Sequence, residues 1–194
     1  MVESRALDEE RRAKSPTYGA FLRGLIANPK GVSAPTPSSP ALAEAIAAAL
    51  DPGRPGLVVE LGAGTGAVTA ALIRRVGAGR IIAIERDAHF ARLLQRNFAG
   101  LTVRQGDALA FEEFLPLDAQ VAAVVSGLPL LHFPKAARRS LLARALACQG
   151  PGGLFIQLSY SWLPPVALPA GVSLAKRAVW RNFPPAHVWT YRAA

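Results

Sequence analysis

From residue 57 onward the sequence alternates short β-rich runs with amphipathic stretches, and this alternation constrains the fold more than any other feature. Leu57–Leu61, Arg80–Ile84, Leu101–Arg104, Val121–Val125 and Leu154–Ser159 read as buried strands. Between them, Ala67–Arg75, Ala88–Asn97 and Lys135–Ala147 have helical character. Strand–helix–strand units join neighbouring strands in parallel through right-handed crossovers, which predicts an α/β, doubly wound sheet. The end of the chain breaks the pattern. Leu174–Trp180 and Val188–Tyr191 read as strands with Asn182-Phe183-Pro184-Pro185-Ala186 between them, an antiparallel hairpin closing one edge. Residues Trp162–Gly171 hold three prolines and no helical period, so a crossover helix is expected to be missing there, leaving one face of that edge open.

Two helical segments precede the alternation. Tyr18, Phe21, Leu22, Leu25 and Ile26 fall on one face of a helix that Thr17 can cap and Pro29 stops. A loop rich in proline and serine follows, and Ser39 then caps a helix over Pro40–Leu50 with Pro40 at its first position. These segments divide the chain into an N-terminal extension, residues 1–50, and a main domain, residues 51–194. Apolar residues make up 51 % of the chain, which excludes a disordered protein. Cys148 is the single cysteine, so neither an internal disulfide nor a thiolate zinc cluster is possible, and no metal site is expected. No secretory signal and no membrane-spanning apolar run is read from the sequence. The formal charge of +9 favours polyanionic partners, nucleic acid or an anionic bilayer, without choosing between them. Residues 1–31 hold six basic and four acidic residues, so most of the excess lies further along.

The chemistry starts at Val58-Val59-Glu60-Leu61-Gly62-Ala63-Gly64-Thr65-Gly66, where a strand turns into a helix. Gly62 permits a tight turn, and Gly64 lets a ligand lie against the backbone. Alone, such a turn fits a dinucleotide site or no site at all. Its surroundings are more selective. The spacing lacks the third glycine of the dinucleotide fingerprint, and Glu60 would oppose a pyrophosphate but suits a cationic ligand. Glu85 closes the second strand, 19 residues past Gly66, where a carboxylate can accept both ribose hydroxyl hydrogen bonds. Asp107, followed by Ala108, closes the third strand and can accept from an adenine amino group. The bland reading pairs Glu85 with Arg86 or Arg104 and makes Asp107 a helix cap.

With these residues the chain resembles class I S-adenosylmethionine-dependent methyltransferases. The resemblance implies a Rossmann-like sheet of seven strands ending in a reversed hairpin, with S-adenosyl-L-methionine as cofactor. It places the cofactor on Glu60, Gly62, Ala63, Gly64, Gly66, Glu85, Arg86, Asp107, Ala108, Ser126 and Gly127. At the fourth strand end, Ser126-Gly127-Leu128-Pro129-Leu130-Leu131-His132 replaces the amide or acid and the aromatic with which base-methylating enzymes hold and stack a flipped base. Ribosomal RNA adenine dimethyltransferases share the general pattern but add a C-terminal helical domain, for which the residues after the hairpin are too few.

Four segments are more similar to the bacterial phospholipid N-methyltransferase family: Phe21-Leu22-Arg23 with Asn28-Pro29, Ala34 to Ser39, Ser126 to Leu131, and Trp180 to Trp189. That resemblance implies methylation of the amine of phosphatidylethanolamine, and of its monomethyl and dimethyl derivatives, to phosphatidylcholine. The setting would be cytoplasmic, at the inner face of the cell membrane. Tyr18, His132 and Tyr160 are the candidates to orient the amine or pass its proton. Leu128, Pro129, Arg181 and Asn182 are the candidates for the substrate, with Arg181 pairing a phosphate. The helix over residues 17–28 reads as a lid or as an interfacial helix on an anionic membrane surface, and no nucleic acid partner is expected. Two other readings stand beside this one: an RNA adenine N6-methyltransferase, and a non-catalytic S-adenosylmethionine-binding protein of the membrane surface.

Overall fold

A computed structural model describes residues 38–193. The helix expected at residues 17–28, with Tyr18, lies outside the described residues. Ser39 caps α1 (Pro40–Ala47), its hydroxyl accepting the Leu42 N–H at 3.2 Å. The elements that follow are β1 (Leu57–Leu61), α2 (Ala67–Val76), β2 (Ile81–Glu85), α3 (Ala88–Asn97), β3 (Thr102–Gln105), β4 (Val121–Ser126), α4 (Lys135–Ala147), β5 (Leu154–Ser159), β6 (Val172–Val179) and β7 (Ala186–Ala193). Short 3₁₀ turns at Ala78–Arg80, Ala108–Phe114 and Leu130–His132 complete the connections.

The seven strands form one sheet in the order β3-β2-β1-β4-β5-β7-β6. β1 to β5 run parallel, while β7 is antiparallel to both β5 and β6. The expected topology, reversed hairpin included, is therefore the observed one. The order reverses between β1 and β4, and right-handed crossovers on either side of that point put their helices on opposite faces. Leu42 and Ile46 of α1 and Leu72 of α2 pack with Val58, Ala123, Val125 and Ile156 in one core cluster. α1, assigned by sequence to the N-terminal extension, is thus an integral layer of the sheet domain. α3 buries Ala91 and Leu94 against Ala83 and Val103 on the outer strands.

No helix joins β5 to β6. The irregular segment 160–171 takes its place, as its prolines predicted. It is pinned at two points. The Tyr191 hydroxyl donates to the Val166 carbonyl at 2.8 Å and accepts the Val166 N–H at 3.2 Å. Arg138 of α4 donates through Nη1 to the Pro165 carbonyl and through Nε to the Phe133 carbonyl, each at 2.9 Å. Burial pushes the Tyr191 phenol up to about 12, so it remains a neutral donor at any ordinary pH.

Candidate active site at the carboxyl ends of the parallel strands

The reversal of strand order opens a crevice at the carboxyl ends of β1 and β4, where sheets of this type bind ligands. Gly62, Gly64 and Gly66 all have positive φ, at 73°, 54° and 88°. Each has a different reason. A Cβ on Gly62 would come within 3.0 Å of Leu128 Cδ2, so the β1 turn and the β4 loop interlock. A Cβ on Gly66 would come within 2.7 Å of the Phe98 ring and 2.9 Å of Leu94, so this glycine lets α2 begin against α3. At Gly64 an added Cβ meets nothing within 4 Å among the described residues, which leaves room for a ligand against the backbone.

Glu85, only 9 % exposed, holds that cradle. One carboxylate oxygen accepts the Gly64 N–H at 2.7 Å and the other accepts the Asp87 N–H at 2.8 Å. The carboxylate therefore ties the glycine turn to the end of β2, a role sequence reasoning did not assign. Each oxygen keeps a second lone pair, which leaves the pair of acceptors a ribose needs. No ion pair joins Glu85 to Arg86 or Arg104 among the described residues, and both arginines are exposed. Asp107 is exposed at the end of β3, beside Gly106, whose N–H donates to the Glu85 carbonyl at 3.0 Å. One Asp107 oxygen caps the following turn through the Leu109 N–H at 2.9 Å. Ala108, behind it, is buried. The cap uses one oxygen of a carboxylate that is otherwise exposed.

Glu60 differs from the other acids. It is 2 % exposed, next to last in β1, and the Thr69 hydroxyl donates to it at 2.7 Å. Burial, opposed by that hydrogen bond and reinforced by the charge of Glu85, raises its pKa from 4.5 to about 7. Among the described residues no cation pairs with this buried carboxyl, which suits a ligand that brings positive charge. Thr69 could have been suspected from sequence, since a threonine nine residues past an acidic strand end falls on the first turns of the following helix.

Ser126 and Gly127 close the crevice on the β4 side. The Gly127 N–H donates to the Leu61 carbonyl at 2.9 Å, and a Cβ on Gly127 would come within 2.9 Å of the Gly62 carbonyl oxygen. The Ser126 hydroxyl, buried, accepts the Leu128 N–H at 3.3 Å. Gln157 of β5, paired in register with Ser126, donates its amide to the Leu128 carbonyl at 2.9 Å. Gln157 interrupts the apolar run Leu154–Leu158 of β5, a signal that the sequence reading passed over. Pro129 and His132 are exposed around the buried Leu130, and Tyr160, 43 % exposed, follows the end of β5. His132 and Tyr160 thus follow the carboxyl ends of two neighbouring strands, β4 and β5.

Arg181 and Asn182 lie two strands further along, at the hairpin tip. Arg181 is exposed. Asn182, expected at the substrate, is buried and spends its side chain on structure: its oxygen accepts the Ser39 N–H at 3.1 Å and its amide donates to the Pro184 carbonyl at 2.7 Å. It fastens the hairpin tip to the start of α1, which accounts for its burial without a ligand.

A glycine cradle, a ribose-type carboxylate and a buried acid awaiting a cation at the switch point define the class I methyltransferase architecture. Comparison with known proteins agrees. A family model described as a methyltransferase domain matches residues 58–153. The ornithine lipid N-methyltransferase of Singulisphaera acidiphila is 35 % identical over 145 residues, 72 % of this chain and 76 % of that protein. Ribosomal RNA small subunit methyltransferase A of Dechloromonas aromatica is 44 % identical over 68 residues, but the chain covers only 27 % of it. Among solved structures, the Burkholderia thailandensis 1,6-didemethyltoxoflavin-N1-methyltransferase superposes with a TM-score of 0.66 at 22 % identity, over 91 % of this chain and 89 % of that one. TrmN from Thermus thermophilus gives 0.65 at 23 % identity, and the chain spans about half, 49 %, of that protein. These two structures are alike in fold. The chain belongs to the class I S-adenosylmethionine-dependent methyltransferases, in the family that includes the ornithine lipid enzyme. It is a methyltransferase with S-adenosylmethionine as cofactor, which when bound supplies a methyl group on a positively charged sulfonium. Gly64, Glu85 and Asp107 would hold the nucleoside portion, and Glu60 the charged portion.

Proposed function

We propose that this enzyme methylates the amine of a membrane lipid, with phosphatidylethanolamine and its monomethyl and dimethyl derivatives as acceptors and phosphatidylcholine as the end product. The similarity to the ornithine lipid N-methyltransferase, at 35 % identity over most of that protein, carries the lipid-amine reading. Phosphatidylethanolamine as acceptor rests on the resemblance of the Ser126–Leu131 and Trp180–Trp189 segments to phospholipid N-methyltransferases. An amine attacks the sulfonium methyl only when neutral, so the ammonium must lose a proton before or during transfer. His132 and Tyr160, after the carboxyl ends of β4 and β5, are the described groups proposed to orient the amine and pass that proton. Arg181 is proposed to pair with the phosphate. The protein would work peripherally, on the cytoplasmic face of the membrane, with the segment over residues 17–28 as an anchor.

The similarity to ribosomal RNA methyltransferases favours a second reading, adenine N6-methylation of RNA. Ser126 and Leu130 supply neither the amide nor the aromatic for a flipped base, and Leu130 is buried. Radiolabelled S-adenosylmethionine, incubated with the protein and either phosphatidylethanolamine vesicles, ornithine lipid vesicles or ribosomal RNA, separates the readings. Label in phosphatidylethanolamine supports the proposal. Label in ornithine lipid alone replaces the acceptor, and label in RNA alone overturns the class.

A further inference from the structure

The basic excess is concentrated at the C-terminal end of the chain. Residues 119–194 contain eight basic residues and no acidic one. The same stretch holds most of the misplaced apolar surface. Of the large hydrophobic side chains left exposed among the described residues, Tyr160, Trp162, Leu163, Leu168, Trp180 and Phe183 all fall between residues 160 and 183. Leu163 is 74 % exposed and Phe183 is 92 % exposed. Single exposed apolar residues need no explanation, but a group of aromatics and leucines in a segment devoid of acids does.

The register places much of this group at one end of the sheet. Ser159 pairs with His187, and Val179 pairs with Ala186. The end of β5, the tip 180–185 and the start of β7 therefore sit at the same end as the carboxyl end of β4, where Ser126 closes the cofactor crevice. The segment 160–171 stands where a crossover helix would have covered the face.

The rings are held in place. Trp162 contacts Trp180 and His187, with ring centroids 5.6 Å and 4.6 Å apart. The Lys176 ammonium lies 4.7 Å from the Trp162 ring centre and 5.0 Å from that of Trp189, and donates to the Trp162 carbonyl at 2.9 Å. His187 is buried beneath them, and burial followed by the Lys176 charge holds its pKa below the usual histidine range, so it adds no charge at neutral pH. Arg138 and Tyr191 pin the segment from below. An ordered platform loses little conformational freedom when it is covered.

The geometry points to this surface, the 160–171 segment with the 180–185 hairpin tip, as the face that docks on an anionic lipid bilayer. Indole, phenyl and leucine side chains would enter the interfacial layer, and Lys176 and Arg181, both exposed, would meet lipid phosphates. Charge complementarity and the amphipathic aromatics select a bilayer as occupant. The inference rests on the lipid-acceptor reading and adds to it: docking here would bring the bilayer to the Ser126 side of the crevice, independently of the N-terminal segment.

The test uses the full chain and vesicles of phosphatidylcholine with phosphatidylglycerol, which contain no primary amine, so that docking is read without turnover. Two of the three tryptophans, Trp162 and Trp180, are 60 % and 65 % exposed and act as reporters, whereas Trp189 is buried. Brominated acyl chains should quench their emission. Phe183→Ser and Leu163→Ser should each weaken vesicle partitioning about tenfold and leave S-adenosylhomocysteine affinity unchanged, the latter confirming the fold. Partitioning equal to the unmodified protein for both variants overturns the inference, as does unquenched emission from vesicle-bound protein. So does RNA binding insensitive to both substitutions in a protein that ignores vesicles. Methyl transfer to lipid amines is followed separately. Transfer to a lipid with normal vesicle binding by both variants removes the docking surface and keeps the function; docking without any lipid transfer does the reverse.

Discussion

Replacing Glu60 with glutamine should make the protein without cofactor more stable at pH 8 and leave it nearly unchanged at pH 4.5. The carboxyl ordinarily titrates at 4.5 but titrates at about 7 in the folded protein. Between those values the native state binds a proton that the unfolded chain has released. Stability contributed by the protonated carboxyl is therefore full below pH 4.5, falls as pH rises, and is gone once pH passes 7. At about 1.4 kcal/mol per pH unit, the interval corresponds to about 3 kcal/mol. Glu60 is 2 % exposed, so solvent screens little of it. Glutamine preserves the volume, and its oxygen can accept the Thr69 hydroxyl, so Glu60→Gln removes the titration with little else. Urea unfolding at pH 4.5 and pH 8, without cofactor, reads the difference. A gap between Glu60→Gln and the unmodified protein that is the same at both pH values would refute the assignment of a buried, neutral-leaning carboxyl. The same reasoning fixes the sign with ligand present: a cationic group bound beside Glu60 favours its ionised form, so cofactor binding near pH 7 should release a proton. Calorimetry in buffers of different ionisation enthalpy measures that release, and Glu60→Gln should abolish it.

Three further substitutions probe the scaffold. Glu85→Ala strands the Gly64 and Asp87 N–H groups and should cost about 2 kcal/mol in unfolding free energy and weaken S-adenosylhomocysteine binding at least tenfold, to about the extent of one lost charged hydrogen bond, by calorimetry. Gly66→Ala forces a methyl against Phe98 and Leu94 at a positive φ and should cost about 1–3 kcal/mol, read as a lower thermal midpoint. Asn182→Ala removes two hydrogen bonds at the hairpin tip and should lower stability by about 2 kcal/mol without changing the acceptor KM; a raised KM at unchanged stability would return Asn182 to the substrate.

The sheet was readable because buried parallel strands and amphipathic helices leave different apolar periods. α3, α4 and β5 have the bounds expected from sequence, and the reversed hairpin was visible as two strands without a helix between them. Strand ends shifted by a residue or two where backbone pairing continued beyond the apolar run, as at β6 and β7. α1 was misassigned to the extension because the Asp51–Gly56 break looks like a boundary; Leu42 and Ile46, both buried, show that the core reaches past it. Gly62, Gly64, Glu85 and Asp107 stood out because their chemistry depends on local spacing. Thr69, Gln157 and the partner of Asn182 did not, because each acts on a residue brought near by the fold. Asn182 and Ser39 are 143 positions apart. His187 and the tryptophan group became meaningful only when the register of β5, β6 and β7 placed them around Lys176.

The most direct test of lipid-amine methylation is to follow labelled methyl groups from S-adenosylmethionine into phosphatidylethanolamine vesicles, with ribosomal RNA in the same reaction. The account predicts label in monomethyl, dimethyl and trimethyl lipid and none in RNA. Label confined to N6-methyladenine would contradict it.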